Sequence, residues 1–336
     1  MKQSAEHQEE IILTTTKPQI DKKSSTRINF LKFLAIFFVI CAHSLSGNFS
    51  LLDSILGVFG VISMPLFLFL AGYCFDDHND KKKFLLKKIT RIIIPWIIWG
   101  LVTYFANVFM HADKLKALDL ILWLIGYGTW LYFVPIILFC YFLFIFIKNE
   151  YVILALSIVS VLSIILTGFG ISFMNNYLNP LNWICFFGFG ILCRNHTLMQ
   201  KAVKLWIYLI IFVIWTTCFI LYVIFLKPTY FIYYSLVFEL LSIFFLTFIK
   251  SPSSKVFEFV SKNTFFIYFF HMQFGLWPIK YLLKIFSNNI PLTLILSIAT
   301  PFLCLSICLL VLFVLFLIFR KNRFVRRILL YFGVRV

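Results

Sequence analysis

The chain has 336 residues, of which 62% are hydrophobic, 20% aromatic and 13% charged, with 44 phenylalanines and a mean hydropathy of +0.98. Soluble domains run nearer ~45–50% apolar and ~25% charged, so no core is large enough to hold this much apolar surface and it is expected to face lipid. The same numbers exclude disordered chains, collagens and secreted disulfide scaffolds, and although a formal charge of +17 would suggest nucleic acid in a soluble protein, the cations here end apolar runs and no nucleic-acid partner is expected.

In chain order, residues 1–27 are polar, carry Glu as well as Lys, and read as a disordered tail. A helix of about 20 apolar residues crosses a ~30 Å hydrocarbon core, and the chain offers about ten such segments. They lie near 28–48, 57–75, 92–110, 129–147, 151–168, 179–193, 205–226, 230–249, 263–278 and 291–319. Residues 115–126 are too short to span and read as an interfacial or re-entrant helix, while Pro301 gives the long last segment a cause to kink. Twenty-four of the 30 lysines and arginines fall in the tail, 81–91, 148, 194–204, 250–262 and 320–335, against Lys114, Lys116, Lys227, Lys280 and Lys284 in the intervening loops. That alternation predicts an all-α polytopic membrane protein with both termini cytoplasmic. Its domains would be a tail over 1–27, a membrane domain over 28–320 and a basic cytoplasmic tail over 321–336. The eight cysteines lie in or beside apolar segments with no metal-ligand spacing, so they read as small buried hydrophobes and no metal site is expected.

An ionisable side chain in a membrane helix is costly and therefore a functional candidate. The first span holds two, Lys32 and His43. Eleven residues at 100° each bring them to one helix face ~16 Å apart, with His43 nearer the outer side. The bland alternative is a snorkelling Lys and a His bonded to a neighbouring carbonyl. Lys88 and Arg91 stand i,i+3 at the entry to the third span, where they suit a phosphate-bearing ligand or simply obey the positive-inside rule. Tyr268 and His271 in the ninth span and Glu239 in the eighth either line a cavity or form structural hydrogen bonds between helices.

Taken together, these segments resemble the acyltransferase-3 family of integral membrane acyltransferases, bacterial enzymes that mostly O-acetylate sugars of surface glycans. The opening RINFLKFLAIFFVICAHS resembles the family's first helix, with Lys32 and His43 matching its basic residue and His. MPLFLFLAGYCF, KKITRIIIPWIIW, TWLYFVPIILF, FFGFGILC and NTFFIYFFH follow in the family's order, and the likeness covers residue 27 to about 320. The chain departs from the family's usual Arg-x-x-Arg in having Lys88 with Arg91, and has Ala71 where a Ser is common.

The resemblance implies that His43 is a catalytic base or transiently carries the acyl group. It implies acetyl-CoA as a co-substrate arriving from the cytoplasm with no bound cofactor, its phosphates at Lys88 and Arg91 and its arm passing Lys32. Trp130 and Tyr268 would shape the cavity with Glu239, and His271 would be a second proton-handling candidate. The implied acceptor is a hydroxyl of a cell-surface glycan or its lipid-linked precursor, and the implied place is a bacterial cytoplasmic membrane. The competing reading is a transporter or flippase for a glycan or glycolipid using the same polar line as a path. It calls for internal repeats and helices broken at matching points, and the sequence has neither.

Overall fold

The computed structural model describes residues 21–47, 50–75, 81–111, 115–172, 174–200, 204–221, 223–224, 232–249 and 251–335. Of the disordered tail expected over residues 1–27, residues 1–20 lie outside them. The described residues are mainly helical, with no strand among them, and a helix falls in each of the ten apolar segments.

The first helix, α1, is Lys22–His43, capped by Asp21, whose carboxylate accepts from the Ser24 N–H at 2.7 Å. It therefore begins inside the expected tail, six residues before the apolar run, and the buried Arg27 explains why: its guanidinium donates to the Met199 carbonyl. The helix also ends earlier than the hydropathy implies. Ser44 caps it, and Asp53 then accepts from the N–H groups of Ser46 and Gly47 at 2.8 Å, so His43 is a terminal residue of α1 rather than an interior one.

Next come α2 (Ser50–Tyr73) and α3 (Lys81–Lys88), which runs through a π-helical turn, Ile89–Ile93, into α4 (Ile94–His111). The short α5 (Ala117–Ile125) lies where an interfacial or re-entrant helix is expected, and it has no buried residue. Gly126 stops it in the left-handed conformation, φ +89°, where a Cβ would strike the backbone of Tyr132. A tight turn, Trp130–Tyr132, leads into α6 (Phe133–Phe144), at 57° to α5. The chain continues with α7 (Glu150–Gly168), α8 (Ile184–Asn195), α9 (Leu205–Leu221) and α10 (Ile232–Phe248). Then α11 (Lys255–Lys262) and α12 (Thr264–Phe270) lead through a second π-helical turn, His271–Leu276, into α13 (Trp277–Ile285), and α14 (Ile290–Phe319) and α15 (Arg323–Tyr331) complete the fold.

Among the described residues five helices are long and apolar enough to cross a membrane, or six if the bent α5–α6 pair is one span. Their faces are arranged for lipid. The buried stripe of α14 includes Thr293, Ser297, Thr300, Cys304 and Cys308 with Leu305 and Leu312, while Ile295, Phe302, Leu310 and Phe313 point outward; α7 likewise buries Ser157, Ser160 and Thr167 with Ile153 and Ile164 and exposes Leu154, Ile158 and Leu162. Most of the small and polar residues of these helices face their neighbours and the outward faces are large and apolar, which is the packing expected of helices in hydrocarbon. Closest of these contacts is α2 on α8, where Gly72 meets the carbonyl of Phe187 and Gly190 meets that of Phe69. In the centre stands α1, packed on α2, α11, α12 and α14.

Candidate functional site

Two cavities lie along α1, one at each end of its polar line. The first, about 320 Å³, is lined by Lys32 and carries a further five cations: Lys87, Lys88, Arg91, Lys262 and Arg335. Among the described residues that line it there is no acidic side chain. The second, about 600 Å³, is lined by His43, Glu239 and Trp130, with Tyr132, Tyr177 and Trp183 forming an aromatic wall. Tyr132 lies 5.3 Å from Tyr177 and 6.0 Å from Trp183 between ring centroids.

In the basic cavity Lys88 is half-buried, its ammonium 3.4 Å from the Tyr141 ring centroid and 4.9 Å from that of Phe84. Aromatic faces thus take part of the place of lost water for that charge. Arg91 sits in the π-helical turn Ile89–Ile93, where the wider ring of backbone bonds displaces side chains from regular α positions. Lys262 pairs with Glu258 at 2.7 Å, and this hydrogen bond holds the Glu258 carboxyl below its ordinary range.

A partition separates the two cavities. Tyr268 lines the basic one and its hydroxyl donates to the backbone carbonyl of Trp130, which lines the other. One turn further on, His271 is fully buried and opens the second π-helical turn, His271–Leu276. Its Nδ1 lies 2.7 Å from the Tyr268 carbonyl. A carbonyl only accepts, so Nδ1 carries the proton and the buried Nε2, which has no partner among the described residues, presents a lone pair. The His271 ring centroid is 5.3 Å from that of His43. Cys304 supports this turn, its Sγ lying 3.6 Å from the His271 carbonyl, while the Trp130 indole N–H is also buried without a partner among the described residues.

The expected residues therefore gather, but in two places. Lys32, Lys88, Arg91 and Tyr268 line one cavity; His43, Trp130 and Glu239 line the other; His271 stands beside His43 without lining either. Three cations that sequence reasoning counted only towards topology, Lys87, Lys262 and Arg335, join the first cavity. Nothing local in the sequence marks them, since Asn263 and Arg335 meet across 72 residues. Neither π-helical turn has a sequence signal either, although each carries a candidate residue, Arg91 in one and His271 in the other.

Comparison with curated proteins and with solved structures gives no match. A family model described as an acyltransferase domain matches residues 25–311, which takes in Lys32, His43, Lys88, Arg91, Trp130, Glu239, Tyr268 and His271. With most of its length inside that match, the chain belongs to the acyltransferase-3 family.

Proposed function

We propose that the protein is a membrane-embedded O-acyltransferase, in the first place an O-acetyltransferase. It takes the acyl group from acetyl-CoA on the cytoplasmic side and passes it to a hydroxyl of a surface glycan or its lipid-linked precursor. The observation that carries this reading is the pair of cavities at the two ends of one helix face, six cations lining the first and His43 the second. Charge without acid suits the phosphates of the donor, and the aromatic wall of Tyr132, Tyr177 and Trp183 suits the apolar face of a sugar ring.

The chemistry divides accordingly. Bound in the basic cavity, CoA reaches along α1 past Lys32 with its thioester, and the Tyr268–Trp130 hydrogen bond of the partition opens to let its arm through. Neutral His43 takes the proton of the acceptor hydroxyl as that oxygen attacks the thioester carbonyl. The tetrahedral intermediate collapses with loss of the C–S bond, and the thiolate recovers the proton from the imidazolium, leaving an ester and CoA thiol. The unpartnered indole N–H of Trp130 is a donor available to the oxyanion. The His271 ring packs beside that of His43 and so restricts its orientation.

The test is acyl-CoA turnover by the purified protein with and without candidate glycans. In that assay Arg91→Ala is expected to raise the KM for acetyl-CoA about tenfold through loss of a charge-assisted phosphate contact, with kcat little changed. Failure to insert, with ordinary kinetics in whatever protein survives, would return the cluster to a purely topological role.

The topology that goes with this reading is ten crossings with both termini in the cytoplasm of a bacterium, set in its cytoplasmic membrane. Reporter fusions after residues 50, 80, 177, 197 and 330 should report out, in, out, in and in. An external signal at residue 330 would overturn it.

A further inference from the structure

The last described residues, 332–335, leave α15 and run back over the basic cavity as a strap, and they lie beyond the span that the family model matches. The strap is fastened along its length. Trp99 donates through Nε1 to the Phe332 carbonyl at 2.9 Å, and Val334 is buried. The Arg335 N–H donates to Asn263 Oδ1 at 2.7 Å, and Asn263 Nδ2 returns a bond to the Arg335 carbonyl at 3.4 Å. Asn263 is fully buried, its Nδ2 shared with the Phe259 carbonyl at 3.0 Å and its Oδ1 given to the Arg335 N–H, so the strap is built into the fold and holds the Arg335 side chain at a defined point of the cavity wall.

Here it completes a site of like charges. Arg335 shares the cavity with Arg91, Lys87, Lys88 and Lys32, whereas Lys262 has its own carboxylate in Glu258. Holding these cations together costs free energy until an anion arrives, which is the arrangement of a preorganised polyanion site. Depth decides which part of the anion meets which cation. The thioester must travel towards His43, so the nucleotide end of the donor stays at the opposite mouth. Lys32 and Lys88 are half-buried along that path, while Arg335 is exposed at the entrance.

We propose that the strap is the nucleotide end of the donor site and that Arg335 binds the 3′-phosphate of CoA, an assignment that rests on the acyl-CoA reading above. A terminal phosphate offers free oxygens to the planar guanidinium fork, whereas the bridged pyrophosphate is served by Lys88 and Arg91.

The experiment compares acetyl-CoA with acetyl-dephospho-CoA, which lacks only that phosphate, on the full-length protein and on Arg335→Ala and Arg335→Lys. Wild-type protein should prefer acetyl-CoA. Arg335→Ala should raise the KM for acetyl-CoA about tenfold, keep kcat within about twofold, and leave the KM for the dephospho donor unchanged; Arg335→Lys should recover part of the loss. Equal losses on both donors would shift Arg335 to the pyrophosphate and overturn the assignment, and an unchanged Arg335→Ala would make the strap structural only. If wild-type protein neither turns over nor binds acetyl-CoA, the donor reading itself falls and this contact with it.

Discussion

Replacing His43 with Ala is expected to lower kcat for acyl transfer by roughly 10²- to 10⁴-fold, the range a positioned general base supplies. His43 stands at the end of α1 on the wall of the larger cavity, with His271 as its nearest ring at 5.3 Å. His271 is no substitute, because it lines neither cavity and its Nε2 lone pair therefore does not face the acceptor. Glu239 lines the same cavity, but a carboxylate there would have to lose its charge to the acceptor's proton and then return it. Stability should change little, since His43 borders open volume and its removal creates no closed void. The measurement is single-turnover transfer from acetyl-CoA by protein shown to insert and to elute as a single species. Folded His43→Ala protein transferring at near the original rate would refute the mechanism and move attention to Glu239 and His271.

The second large effect concerns the scaffold. Gly72→Leu is expected to abolish accumulation of folded protein, and Gly72→Ala to destabilise it by about 3 kcal/mol or more. A Cβ built at Gly72 would lie 2.0 Å from the Phe187 carbonyl oxygen, and one at Gly190 would lie 2.1 Å from that of Phe69. Both neighbours are helix backbone, so neither yields by turning a rotamer. The helices α2 and α8 would have to separate, opening the contacts of Phe69, Tyr73, Phe186 and Phe187, all buried. Ala71→Ser is the control, because residue 71 borders the basic cavity and has room for an oxygen. Thermal unfolding in detergent checks the series, and a Gly72→Leu protein with the wild-type midpoint would refute the packing.

Much of this was legible before any tertiary structure. Composition alone points to lipid on the outside, and hydropathy places a helix in each apolar segment, five or six of them among the described residues long and apolar enough to cross a membrane. The shared face of Lys32 and His43 follows from helical period, a local property, and the two residues do line the cavities at the ends of α1. Motif order likewise reaches the family that the domain match establishes.

What tertiary structure decided is everything set by contacts distant in sequence. Hydropathy runs α1 to residue 48, yet it stops at His43 because Asp53 claims the next N–H groups. It starts α1 at residue 28, yet the helix begins at Lys22 with Arg27 tied to Met199, 172 residues away. The pairing of His43 with His271 and the partition between Tyr268 and Trp130 join segments whose spacing in the chain carries no period. The residues from 321 onward read as a basic tail because charge count is blind to partners; the fold turns them into α15 and a strap, pinned by Trp99 and Asn263, that sets Arg335 into the wall of the cavity.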